Sequence, residues 1–308
     1  MQRTFRAAVL FVLALLPAAF LLRIAANERS AFAGRWDLTI TTQKDAYPSW
    51  MEFADEGGTP AIRMVGRTGS VHAVRGAAVR GSHLMFVDPQ SSGGGHWDLT
   101  VKDHELTGHS PDGAVSGVPA PLLNRKPPNA WSAPERLFNG RDLSGWEPDQ
   151  ASNSYWVAKD GELQNERAGA NFRTTRTFAD FKLHIEYNCP PGGNGGVYLR
   201  GRYEIQVEYE PPNKNDAFHG MGSIYGFIAP SKEVAARPSE WESYDVTLAG
   251  RSVTVVRDNV LIIDNTEIPG ITGGALDSHE AEPGPLYLQG DHTGGLQFRN
   301  IMIALPRP

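Results

Sequence analysis

Cysteine, basic runs and helical periodicity are all scarce in this chain. Among 308 residues there is one cysteine, Cys189. It leaves no intrachain disulfide and no CxxC metal or redox site. It precedes Pro190-Pro191-Gly192, where a small side chain at a strand end is a better reading than a nucleophile. Basic residues number 29 against 35 acidic, a net charge of −6, and beyond the N-terminus they form no run. Nucleic-acid binding by counterion release is therefore not expected. No long segment repeats its apolar residues at helical period; Val234-Ala235-Ala236 reads as one helical turn. Glycine and proline are plentiful instead, at 33 and 22 residues, above the usual ~7% and ~5%. With 40% apolar residues, this composition supplies a core and favours many short strands joined by turns.

Long apolar runs are absent except at the start. Arg3 and Arg6 precede an apolar stretch from Ala7 to Leu22, closed by Arg23. This has the basic and apolar regions of an export signal, and it is shorter than the ~20 residues a membrane span needs. Small residues at Ala25-Ala26 and Ala31-Phe32-Ala33 offer cleavage sites. Residues 1–33 are read as an export signal or an uncleaved anchor. The remaining chain is then periplasmic or secreted, and touches a membrane only through residues 7–26.

Two all-β blocks follow. Lys126-Pro127-Pro128-Asn129 reads as a stiff linker, because adjacent prolines disfavour both helix and central strand. The expected division is a small all-β domain over 34–126, a Pro-rich linker over 127–131 and a larger domain over 132–308. In the first, alternation marks strands at Trp36–Ile40, Trp50–Phe53, Ala61–Gly66, His83–Val87, Trp97–Val101 and Glu105–Gly108. Such spacing predicts a small antiparallel β-barrel or sandwich. Its His72, His83, His96, His104 and His109 lack metal-ligand spacing and read as surface residues. Trp36, Trp50 and Trp97 read as core. In the second block ten or more short strands, with Asp258-Asn259 as a hairpin turn, predict a two-sheet jelly-roll sandwich.

Alternation also sorts the second block by face. His184 and Glu186 oppose Leu183 and Ile185. Glu204, Gln206 and Glu208 oppose Ile205 and Val207. Tyr198 shares a face with Arg200, Tyr225 with Phe227, and Tyr287 with Gln289 just before Asp291-His292. If these strands are neighbours, the face is a cleft of carboxylates, amides and rings suited to a polyhydroxylated ligand. On alternation alone a solvated face with cross-strand ion pairs, such as Glu204 with Arg200, is the commoner arrangement. Bare backbone at Asn194-Gly195-Gly196 permits close approach of a ligand or another strand. His292, on a glycine-flanked loop beside Asp291, has the chemistry of a general acid or base near neutral pH.

The motifs of the second block, in order, resemble the 3-keto-disaccharide hydrolase domain family, formerly DUF1080. Leu137–Trp146 (LFNGRDLSGW) resembles its opening signature. Trp156-Val157 with Asp160–Leu163, Phe181–Tyr187 (FKLHIEY), Gly193–Arg200 (GNGGVYLR), Tyr203–Gln206 (YEIQ), Ser223–Gly226, Trp241-Glu242, Leu288–His292 and Phe298–Ile301 are similar to its later ones. The likeness spans about Glu135–Leu305; the first block lies outside it. It implies a concanavalin A-like fold and action on glycosides whose C3 hydroxyl has been oxidised to a ketone. The C2 proton is then acidic and the C1 oxygen can leave by β-elimination, with hydration completing a net hydrolysis. On this resemblance His292 or Glu186 is the base, Arg200 stabilises the enolate and Glu204 donates a proton or orients a divalent metal. Asn194, Tyr198, Gln206, Tyr225 and Gln289 hold substrate hydroxyls. Alanine at His292 or Arg200 is expected to stop turnover and spare the fold. The chain departs from the family pattern at Gly195 (usually Ser), Glu208 (usually Asp) and Glu242 (usually Asn). A hydroxyl contact is thus expected to be missing at Gly195. The partner implied is a small carbohydrate or glycoside. A lectin-like binding module, or an adaptor whose first block docks a partner, are alternatives on the same fold. Hydrolysis by the pair Glu186 and Glu204 would need about 5–5.5 Å or 6.5–9.5 Å between them.

Overall fold

A computed structural model describes residues 31–56, 59–91, 94–209 and 217–307. The expected export segment lies outside the described residues apart from 31–33. Among the described residues no helix is long and apolar enough to cross a membrane.

The first block is one antiparallel sheet of nine strands: β1 (Gly34–Thr41), β2 (Ala46–Glu56), β3 (Thr59–Val65), β4 (His72–Ala73), β5 (Arg75–Arg80), β6 (His83–Val87), β7 (His96–Lys102), β8 (Glu105–His109) and β9 (Ala114–Pro119). Their spatial order is β4-β3-β2-β1-β9-β8-β7-β6-β5. The sheet coils until its end strands β4 and β5 meet, separated in the chain only by Val74, whose amide donates to the Ile62 carbonyl on β3 (3.2 Å). This nearly closed barrel buries alternate residues such as Leu38, Ile40, Met51, Leu84 and Leu99. Strands β5 and β9 escape the sequence reading because RGAAVR and AVSGVP carry little apolar contrast. The β7–β8 hairpin turns through Asp103 and His104, both with positive φ (52° and 64°), which matches the strand twist. Phe32 is fully buried in the barrel and its carbonyl accepts from Trp36 Nε1 (2.9 Å). One of the two expected cleavage sites is therefore folded into the core. His72 is not a surface residue: its Nε2 lies 2.7 Å from Asp88 Oδ1. Burial, the largest single influence, lowers its pKa; the hydrogen bonds to Asp88 and to the Ser70 carbonyl, with the Asp88 charge, together outweigh it and raise the pKa.

The second block contributes β10 (Glu135–Arg136), β11 (Trp146–Pro148), β12 (Trp156–Lys159), β13 (Glu162–Asn165), β14 (Phe172–Thr174), β15 (Phe181–Asn188), β16 (Asn194–Leu199), β17 (Tyr203–Glu208), β18 (Trp241–Ala249), β19 (Ser252–Arg257), β20 (Val260–Glu267), β21 (Tyr287–Leu288) and β22 (Gln297–Ala304). One sheet runs β12-β13-β22-β15-β18-β19-β20 with β10 on β22; the facing sheet runs β11-β14-β21-β16-β17. The jelly-roll sandwich expected from strand counting is thus present. Asp258 and Asn259 turn the β19–β20 hairpin with φ of 47° and 65°. Ser223–Ile228 is not a strand but a turn segment held by single bridges of Ile224 to Ile205 and Ile228. Val234–Ala236 forms no helical turn. Trp146 and Trp156 are buried, stacked on either side of Phe172. Trp241 is half-buried beneath the Arg299 guanidinium, 3.9 Å from its ring centre. Cys189 is buried and burial pushes its thiol up to about 12, so it is no nucleophile near neutral pH.

The two blocks share a seam. Trp50 of β2 is core as expected, but the core it joins belongs to the second block, where its ring meets Phe227 edge-on at 5.3 Å. Beside it, Asp37 of β1 is buried against Glu280. Glu280 in turn receives Arg251 NH1 (2.9 Å) and the Tyr203 hydroxyl (2.7 Å). Burial first, and then the Glu280 charge, push Asp37 up to about 9. The folded state therefore binds a proton that the unfolded chain releases near pH 4. That stabilisation is complete below about pH 4 and is lost as pH rises toward 9. Asp37→Asn, neutral at every pH, should flatten this part of the pH–stability profile. Urea melts of both proteins at pH 5, 7 and 9 check it, and a parallel decline in both would refute the seam assignment.

Candidate functional site

Seven of the nine residues singled out from the sequence line one cavity: Asn194, Tyr198, Glu204, Gln206, Tyr225, Gln289 and His292. The cavity sits on the outer face of the smaller sheet and has a volume of about 80 Å³. Strand register brings the residues together. On β16 and β17, Tyr198 opposes Glu204 and Gly196 opposes Gln206; β21 lies on the other side of β16 and carries the chain into Gln289. Each strand turns Ile205, Val207, Val197 and Leu288 into the sandwich. The alternate residues face the cavity.

Glu204 is 3% exposed. Its side chain lies across β16 where Gly196 has no Cβ; a methyl there would stand 2.1 Å from Glu204 Oε1. The bare backbone at Gly196 thus seats a carboxyl group of the protein itself, not a ligand or another strand. Burial pushes Glu204 up to about 8, against the neighbouring Tyr198 hydroxyl and the charge of His292. At neutral pH it is mostly a protonated acid. His292 Nδ1 lies 2.6 Å from Asp291 Oδ1, a pairing that orients the imidazole. Tyr198 donates to the Gly273 carbonyl (2.8 Å). Among the described residues, the buried Oε1 atoms of Gln206 and Gln289 find no donor. Leaving a buried acceptor unsatisfied costs about 1–3 kcal/mol, so both are ready to accept from hydroxyl groups.

Two expected residues are elsewhere. Alternation places Glu186 on the face opposite Leu183 and Ile185, as observed, but β15 belongs to the larger sheet. Its carboxylate accepts from Arg299 Nε (2.6 Å) and Asn300 Nδ2 (2.8 Å) on that sheet's outer side. The proposed Glu186–Glu204 pair therefore flanks no common cavity. Arg200 would share the face of Tyr198 if β16 continued. The strand ends at Leu199, and Arg200 takes a left-handed φ of 54°. Its side chain swings into the interior, fully buried, and donates to the Tyr203 hydroxyl (2.7 Å) and the Gly250 carbonyl (3.1 Å). Arg200 thus serves the seam, and its replacement by alanine would disturb the fold instead of sparing it. Gly195 faces Leu296, 2.8 Å from where its Cβ would be. A serine there would point into the sandwich, so no cavity hydroxyl is missing.

Sequence reasoning missed Asn171, Thr68, Gly69, Gly273 and Gly274 in the same wall. Asn171 Oδ1 accepts from the Gly290 amide (2.7 Å) and so fixes the loop of Asp291 and His292. Only the Asn171–Gly290 contact singles it out, since FRT on β14 is too short to show a face. Thr68 and Gly69 come from the barrel, on the loop between β3 and β4. Tyr287 and Asp291, noted for their position beside Gln289 and His292, also line the cavity. Among the described residues no three His, Cys, Asp or Glu side chains are grouped as metal ligands.

Gly196→Ala should displace the Glu204 carboxyl from its seat and return its titration from about 8 toward 4.5, the ordinary value. Glu186→Ala should leave that titration in place and change stability by no more than about 1 kcal/mol. Carbon-13 NMR of the glutamate carboxyls across pH 3–10 separates the two; equal titrations in both variants would refute the seating.

No curated protein matches this sequence significantly. Among solved structures, the chain is similar to a provisionally assigned glycosyl hydrolase from Parabacteroides distasonis ATCC 8503. Identity is 29%, with 56% of this chain and 84% of that one covered and a TM-score of 0.46. It is also similar to the carbohydrate-binding module CBM66 from Bacillus subtilis (13% identity, 52% and 96% covered, TM-score 0.36). A third is SCLam, a non-specific endo-beta-1,3(4)-glucanase of family GH16 (10% identity, 59% and 94% covered, TM-score 0.36). Residues 133–304, more than half of the chain, match the family described as the 3-keto-alpha-glucoside-1,2-lyase-like domain. The chain belongs to that family, and its barrel is an addition in front of the family domain.

Proposed function

We propose that the protein is an exported carbohydrate-active enzyme that cleaves 3-keto-glycosides by C2 deprotonation, β-elimination and hydration. The observation that carries this reading is one cavity holding a protonated carboxyl, an Asp-paired imidazole and two buried amide oxygens without donors among the described residues. The family description, a 1,2-lyase acting on 3-keto-glucosides, supports the same chemistry. The N-terminal apolar segment supports export.

The roles follow from protonation and place. Asp291 faces His292 Nδ1, which leaves Nε2 to remove the C2 proton. Electrons from the C2–H bond pass to the C3 ketone as an enolate. Asn194, Tyr225 and the Gln289 amide supply polar contacts at the cavity wall. The enolate collapses, C1=C2 forms and the C1–O bond breaks. Glu204 gives its proton to the departing oxygen. Water then adds across the double bond, oxygen to C1 and hydrogen to C2, yielding the free 3-keto sugar. Gln206 and Gln289 accept from ring hydroxyls through their unpaired oxygens.

The full chain incubated with 3-keto-trehalose should release 3-keto-glucose, and with unoxidised trehalose should release none. Parallel incubations with a chelator determine whether a divalent metal takes part. Glu204→Gln and His292→Ala should each lower kcat by about 10²–10⁴-fold without lowering the melting temperature. The wild-type rate should fall as pH rises through about 8, where Glu204 loses its proton. No release from either sugar would defeat the elimination reading and favour a lectin-like binding module.

A further inference from the structure

The cavity that holds Glu204 and His292, at about 80 Å³, has room for a few water molecules. Sites for ligands of disaccharide size occupy about 300–1,000 Å³. The cavity therefore receives the reacting edge of one ring, and the rest of a glycoside must lie outside it. Thr68 and Gly69 form part of its wall and, equally, part of the wall of a second cavity of about 570 Å³. That second cavity belongs wholly to the barrel; Tyr47, Asp88, Gln90, Trp97 and Asp112 are among its lining.

The loop that both cavities share along their rims is held in place. The Gly274 amide donates to the Arg67 carbonyl (3.0 Å). The backbone at Gly69 comes so near Gly273 that a Cβ there would stand 2.1 Å from the Gly69 oxygen. The second cavity is equally preorganised. Asp88 is held by His72, the Ser91 hydroxyl (2.6 Å) and the Gln90 amide (2.9 Å). Tyr47 donates to Asp112 Oδ2 (2.8 Å). Arg67 lies over the Tyr47 ring and is neutralised by two hydrogen bonds to Asp45, each 2.8 Å. Among the described residues the Gln90 side-chain amide makes no hydrogen bond, and it stands at the mouth beside Gly69. Asp88 and Asp112 disfavour an anion, while carboxylates, an amide and ring edges suit neutral hydroxyl groups.

We propose that the barrel cavity is the subsite for the leaving-group half of the glycoside, and that this half is a neutral sugar. The proposal rests on the reading that the first cavity acts on a glycoside. It gives the barrel, which lies outside the family match at 133–304, a direct part in choosing the substrate.

Calorimetric titration of the full chain with methyl α-glucoside and with trehalose tests it. Trehalose, with two rings, should bind at least 10-fold more tightly than the one-ring probe. Gln90→Ala and Asp112→Asn should each remove most of that difference while leaving methyl α-glucoside affinity unchanged; melting temperatures confirm that both variants fold. Equal affinity for the two probes, unmeasurable binding of both included, or a preference that survives both substitutions, would overturn the subsite. Kinetics with 3-keto-trehalose and methyl 3-keto-glucoside separates this from the chemistry. A raised KM for the former alone in the variants supports the subsite. Turnover of both with KM unchanged by either substitution removes the subsite and keeps the elimination. A probe preference without any turnover keeps the subsite and removes the elimination.

Discussion

Close contact between the barrel loop Arg67–Val71 and the second block is the constraint on which the rest depends. The contact requires backbone to meet backbone at Gly69 and Gly273, which side chains of any size would prevent. Around it Trp50 and Val65 of the barrel complete the second core, and removing so large a buried ring would cost about 3–5 kcal/mol. The polar side of the seam, with Asp37, Glu280, Arg251, Tyr203 and Arg200, is almost entirely buried. Charges so placed fix geometry through their hydrogen bonds more than they add net stability. The consequence is a rigid relation between a family domain and an added barrel, with the cavity wall built from both.

Within that frame, burial decides the chemistry. Glu204 lies on a strand face that would be wet in an ordinary half-exposed sheet. The barrel loop, Tyr225 and the 273–274 turn cover that face. Desolvation then holds the carboxyl in its neutral form, which gives an acid beside an imidazole oriented by Asp291. Two carboxylates in open water would both be ionised at neutral pH. The same enclosure leaves the oxygens of Gln206 and Gln289 without donors among the described residues and so creates the demand for a hydroxylated ligand.

Much of this was legible from residues alone, and the misreadings have particular causes. Period-2 alternation placed Glu204, Gln206 and Tyr198 on one face correctly, because strands β16 and β17 pair as neighbours. The same rule gave Glu186 its correct face on the wrong sheet, since alternation carries no information about which sheet a strand joins. It failed for Arg200 because a left-handed residue ends the alternation. Trp50 read as core, but its core is the other block's, which no local pattern records. His72 has a charged partner sixteen residues away in sequence, and nothing in its spacing distinguishes it from the exposed histidines.

By itself the sequence determined the all-β class, the family motifs, the hairpin turn at Asp258-Asn259, and most of the cavity's polar residues. These depend on local sterics and on short periodicities, which a chain carries without its neighbours. Tertiary structure alone decided that Glu204 is protonated, that Arg200 is structural and that the barrel forms part of the cavity wall. Each of these depends on desolvation or contact between segments far apart in the chain: Thr68 with Gly273, Glu204 with Thr272, Arg200 with Gly250. Such contacts exist only once both sheets and the barrel have closed on one another.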